Sequence, residues 1–289
     1  MKTGLTFLAL AALTWFGATA QVVVEVTMEQ NEFLPSETMP MAVRITNRSG
    51  QPLHLGAELN WLMFNVESAD GFIVVKNGEV PVVGEFDLGS SQVATKHVDL
   101  APYFGLMRPG RYRVTATVRI KDWSEAMSSP AKDFYVITGA KIWAQDFGVP
   151  GGTGSTPEVR RYTLEKANYL RTQLRLYVQV SDPSESHVFK VVSVGKMVSF
   201  SDPETQLDRF SNLHMLWQSG ASFFTYAEVD PNGNILKQEI FDYVTARPRL
   251  NINDDGSVSV LGGVRRMKSE EIPVVHSPDQ LPAPGPPPR

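Results

Sequence analysis

The chain contains no cysteine. That single absence excludes disulfide staples, thiolate catalysis and lipid attachment to a processing-site cysteine. Each domain must therefore be held by its own apolar core. Basic runs are missing as well. The 27 lysines and arginines are interspersed with 31 acidic residues, giving a formal net charge of −4. A nucleic-acid binder needs a positive stripe to neutralise phosphates, so no nucleic-acid partner is expected. Histidine is scarce. His54, His97, His187, His214 and His276 show neither H-x-H nor H-x-x-x-H spacing, so no metal site and no cofactor are read from the sequence. His214, between Leu213 and Met215 in a strand-like run, reads as an isolated outward-facing or hydrogen-bonded side chain. Past the N-terminus, no run is apolar enough to cross a bilayer, which takes about 20 residues.

What is present begins with an export pattern. Lys2 supplies a positive charge, Leu5 to Phe16 form a short apolar stretch, and Ala18-Thr19-Ala20 fits an A-x-A cleavage site. Residues 1–20 are expected to be a signal peptide, with no membrane span left after cleavage. Export without any cysteine points to an extracytoplasmic, periplasmic or secreted, bacterial-type protein, because oxidising compartments usually favour disulfides.

From Val22 to Ile137 apolar and polar residues alternate with period two, the mark of half-buried strands. The clearest run has Tyr112, Val114, Ala116, Val118 and Ile120 on one face and Arg111, Arg113, Thr115, Thr117 and Arg119 on the other. Turn chemistry separates the runs at Asn47-Arg48-Ser49-Gly50, Lys76-Asn77-Gly78 and Pro109-Gly110. The segment Leu106 to Ala116 resembles the approach to strand F of immunoglobulin-like domains, with Tyr112 at the tyrosine-corner position and Trp61 as the core tryptophan of strand C. The opening VVVEVTMEQNEFLPSETMPMAVRITNRSG is similar to the first strands of bacterial immunoglobulin-like and macroglobulin-type modules. The resemblance implies a β-sandwich over 21–139, with Trp61 and Tyr112 structural.

Four glycines and a proline in the nine residues Gly148 to Thr156 suggest a linker, placed over 140–157. No lysine follows Gly154, so the segment is not a phosphate loop. Over 158–266, starts at Leu174, Leu213 and Leu250 repeat at spacings of 39 and 37 residues. This resembles β-propeller blades, about three of them; because propellers close with at least four, either the unit is an open antiparallel sheet, the favoured reading, or the repeats are coincidental. The last legible strand, Ser257 to Leu261, is expected to pair back within this unit. Residues 267–289, with six prolines in the last thirteen, are expected to be a disordered tail. The fold class is all-β throughout.

No catalytic constellation emerges. Ser219-Gly220-Ala221-Ser222 lacks the second glycine of a nucleophile elbow. Asp230-Pro231-Asn232-Gly233-Asn234 matches the start of a calcium loop, but Ile235 and Phe241 stand where glycine and glutamate are needed, so it reads as a hairpin turn. Carboxylate pairs of the glycosidase kind are set by tertiary geometry. The remaining asset is aromatic: Trp217, Phe224, Tyr226 and Tyr243 are the candidate binding residues, for carbohydrate or protein, against a plain core role. The expected function is non-enzymatic binding or scaffolding in the cell envelope. The alternatives are a hydrolase of polysaccharide or peptide, and an accessory subunit that binds its partner by strand addition.

Overall fold

The computed structural model describes residues 22–121, 123, 125–150 and 158–267. The expected signal peptide and, but for Met267, the proline-rich tail lie outside them. The chain divides into two units, at Ile137 and Thr138.

The first unit holds β1 (Val22–Thr27), β2 (Glu32–Phe33), β3 (Pro40–Asn47), β4 (Leu53–Leu55), β5 (Leu62–Ser68), β6 (Phe86–Leu88), β7 (Val93–Asp99), β8 (Gly110–Val118), β9 (Met127–Ser128) and β10 (Lys132–Val136). They form sheets ordered β1-β3-β7 and β2-β10-β8-β5, with β9 beside β8, and a short β4-β6 pair. Alternation explains the strands: in β8, Tyr112, Val114, Ala116 and Val118 are buried while Arg111 and Arg113 are exposed. In β3 the buried set is Met41, Val43, Ile45 and Asn47. Both principal sheets feed one apolar cluster, with Val24, Val43 and Ile45 from one and Val66, Val114 and Phe134 from the other. The polar ends of its large rings are satisfied, as burial requires. Trp61 Nε1 donates to the Val82 carbonyl at 2.8 Å. Tyr112 donates to the Arg108 carbonyl at 2.6 Å and stacks on Phe134, centroids 5.4 Å apart.

The second unit holds β11 (Ala140–Gly148), β12 (Val159–Tyr169), β13 (Gln173–Ser181), β14 (Val188–Lys196), β15 (Glu204–Leu207), β16 (Leu213–Gln218), β17 (Phe223–Val229), β18 (Ile235–Asp242), β19 (Arg249–Ile252), β20 (Val258–Leu261) and β21 (Val264–Arg265). β11 to β14 form one up-and-down meander. β15 to β18 form another, with β21 on the β18 edge, and β19 pairs with β20. Tyr162, Leu176, Val178 and Val180 of the first meander and Leu213, Met215, Trp217 and Val229 of the second share a core. The opposite face of the second meander carries Leu216, Phe224, Tyr226 and Phe241, and Leu250 and Val260 of the β19-β20 hairpin pack against them. With apolar contacts on both faces, β16 is buried from Leu213 through Trp217 and shows no alternation.

This organisation corrects the one expected from sequence. An immunoglobulin domain has antiparallel sheets of four and three strands. The first unit instead has sheets of three and five, and β2 runs parallel to β10, so the immunoglobulin-like and macroglobulin-type assignment is withdrawn. The second unit is not three repeats but two blade-like meanders and a hairpin. Leu174 falls in the third strand of the first meander, Leu213 in the second strand of the next, and Leu250 in the hairpin, so the repeated leucines mark no common position. The described residues form four principal sheets of three to five strands, the sheet number of a four-bladed propeller, in place of a sandwich followed by three blades. Alternation reports which face of a strand is buried; it does not report which strands become neighbours. β11 occupies much of the stretch expected as a linker, and Gly148 pairs with Val159 of β12. The glycine-rich segment thus lies between two paired strands of one sheet.

Candidate functional site

A concave site in the first unit is built from one turn. The Asn47 side chain is fully buried at the end of β3. Its Nδ2 donates to the carbonyls of Gln51 at 2.7 Å and Leu88 at 2.9 Å, and its Oδ1 accepts from Ser49 N and Oγ at 2.9 and 2.7 Å. One amide thereby folds residues 47–51 back over the β4-β6 pair. Gly50 takes a φ of +83° at the tip, which glycine adopts without the cost of a Cβ. In β4, Leu53 and Leu55 point to the core and His54 points out.

His54 lies opposite Asp87 in β6. Its Nδ1 meets Asp87 Oδ1 at 2.7 Å, and its Nε2 is hydrogen-bonded to Glu85. The hydrogen bond to Asp87 and then that to Glu85 hold the imidazole pKa above its ordinary 6.5. Past the end of β8, Ile120 is buried and accepts from the Trp123 N–H at 2.9 Å, which sets the indole beside the turn. Together Ser49, Gln51, Pro52, Leu53, His54, Ile120 and Trp123 line a pocket of about 290 Å³, near the roughly 300 Å³ at which small-ligand sites begin. Trp123, Gln51, Ser49 and His54 are among the residues of its wall. Trp123 stands alone in the charged stretch Lys121 to Glu125. A large aromatic where the chain leaves its core is the one sequence signal that points to this site.

The aromatic residues expected to bind are placed otherwise. Trp217, Phe224 and Tyr226 are 1%, 4% and 4% exposed, so they belong to the two cores of the second unit. Tyr243 is half exposed and stands apart from that cluster. Asp230 Oδ1 accepts from the backbone N–H groups of Asn232 and Asn234 at 2.9 and 2.7 Å, so its carboxylate ties the β17-β18 turn. Ser219 and Gly220 donate backbone hydrogen bonds to Phe223 in the β16-β17 turn.

Among the described residues, Asp208, His214 and Glu228 form a group able to hold a metal ion, their ligand atoms all within 4.8 Å of one another. Histidine spacing along the chain carries no sign of it, because the group holds one histidine and two carboxylates. Here a single histidine meets two carboxylates through strand register. Compared with known proteins, the chain matches no family model and no curated protein.

Proposed function

We propose that the protein is a non-enzymatic, extracytoplasmic binding module whose pocket beside Trp123 takes a saccharide. The observation that carries this reading is the convergence of Trp123, Gln51, Ser49 and His54 on one small open cavity. An indole face stacks on the C–H face of a sugar ring, while amide and hydroxyl groups exchange hydrogen bonds with its hydroxyls. His54 supports binding rather than catalysis. Both of its ring nitrogens already bond carboxylates, which leaves neither to act as a general base. The A-x-A pattern at residues 18–20 supports export, and no helix of the described residues is long and apolar enough to cross a membrane.

A glycan array followed by titration calorimetry of the hits tests the proposal. Trp123→Ala is expected to weaken the best ligand at least about tenfold, roughly 1.4 kcal/mol, with the far-ultraviolet circular dichroism unchanged. An array without hits rejects the saccharide, and equal affinity in the variant rejects the pocket.

A further inference from the structure

The second unit contains a polar cluster that the saccharide reading does not use. His214 lies in β16, directly opposite Glu228 in β17, so their side chains share the sheet face that the β19-β20 hairpin packs on. Asp208 comes from the turn just before β16. Its Oδ1 is fixed by the backbone N–H groups of Phe210 at 2.9 Å and Asn212 at 2.8 Å, and its Oδ2 faces the histidine.

The imidazole is oriented from behind. Its Nδ1 is 2.7 Å from the Tyr226 hydroxyl, and the two rings stack with centroids 6.0 Å apart. Nε2 then points at the carboxylates. It is buried, in a residue only 4% exposed, and has no hydrogen-bond partner among the described residues. It lies 3.3 Å from Asp208 Oδ2, close in distance yet outside hydrogen-bond geometry. Two ligands each about 2.1 Å from a tetrahedral ion are themselves roughly 3.4 Å apart. Among the described residues, no lysine or arginine is ion-paired with Asp208 or Glu228. Lys237, opposite Glu228 in the next strand, is paired with Glu239 instead, at 3.1 Å. The Asn212 amide bridges both carboxylates, its Nδ2 3.0 Å from Asp208 and 3.3 Å from Glu228, and neutralises neither charge.

From this geometry we infer that His214 Nε2, Asp208 and Glu228 bind a divalent transition-metal ion of the zinc class. One imidazole nitrogen and two carboxylate oxygens suit such an ion. The Tyr226 contact to Nδ1 is the outer partner that fixes a metal-binding histidine. The histidine is buried and the two carboxylates are partly exposed, and the ion ties the Asp208 turn to β16 and β17. It supplies the positive charge that the two carboxylates lack.

The test uses the full chain without a histidine tag, stripped with chelator, with zinc as the probe. Titration against a chromophoric chelator is expected to show one tight zinc per chain, and zinc to raise the melting temperature. His214→Gln and Glu228→Gln should each abolish the tight site, whereas Tyr226→Phe should weaken it about 10- to 100-fold, the range for loss of an outer-shell partner. Glu228→Gln, nearly isosteric and partly exposed, decides the matter if His214→Gln does not fold. The inference is overturned if the wild type takes up no stoichiometric zinc, or if Glu228→Gln binds it as tightly as wild type.

Discussion

His54 is held between Asp87 and Glu85, and its raised pKa makes its contribution to folding depend on pH. The folded value lies above the unfolded value of 6.5. The stabilisation is therefore complete below 6.5 and is lost as pH rises through the folded pKa. The urea midpoints of wild type and His54→Asn should differ most below the unfolded value of 6.5 and converge as pH rises above it. A gap that stays constant or widens with pH would show that the two carboxylates do not stabilise the imidazolium. The same ring illustrates a limit of reading residues singly. His54 and His214 are alike in sequence, each between two apolar neighbours in a strand. One is about half exposed with both nitrogens satisfied, while the other is buried with Nε2 facing two carboxylates. Their strand partners make the difference, Asp87 for one and Glu228 for the other.

At the scale of elements, the β19-β20 hairpin is what turns a one-sided sheet into a doubly covered one. It reaches its place through Gly262 and Gly263, which join β20 to β21 with φ of +76° and +66°. A Cβ on Gly262 would stand 2.7 Å from the Arg247 carbonyl oxygen, a backbone atom that cannot swing aside. Gly262→Ala is expected to cost about 1–3 kcal/mol through strained backbone, with the contact added. Gly71→Ala is the control: its φ of +80° is similar, yet nothing lies within 4 Å of its Cβ. Urea denaturation should show Gly262→Ala to be the more destabilising, and equal losses would mean that the hairpin tolerates displacement. The expectation that Ser257 to Leu261 pairs back within its unit describes β20 well, since Val258–Leu261 pairs with Arg249–Ile252. Arg265 and Arg266 beyond it bond Glu239 and Asp242 of β18.

At the scale of the whole molecule, each unit closes its own core. The first unit's apolar cluster runs from Val22 to Val136 and includes no residue beyond. A fragment of residues 21–137 is therefore expected to unfold cooperatively by itself, in reducing or oxidising buffer alike, since no cysteine exists to matter. A broad melt without a near-ultraviolet circular dichroism signal would show that this core depends on the rest of the chain. The sequence alone determined the all-β class, the inward faces of β3 and β8 and the turn at Asn47 to Gly50, because these follow from period-two burial and from φ preferences acting over a few residues. It could not determine how the strands are grouped. The 39- and 37-residue spacings of Leu174, Leu213 and Leu250 suggested blades, and blade-like meanders do form, yet the three leucines occupy unlike places in them, because apolar strands recur wherever a sheet must be covered. The burial of Phe224 and Tyr226 was decided by a hairpin more than 20 residues further on, and that of Trp217 by the facing meander β11 to β14. The pocket at Trp123 and the Asp208, His214 and Glu228 cluster were decided the same way. Ligand geometry depends on which strands and turns become neighbours, as His214 meets Glu228 across β16 and β17 and Asp208 from the turn before them, and the pattern along one strand does not report its neighbours.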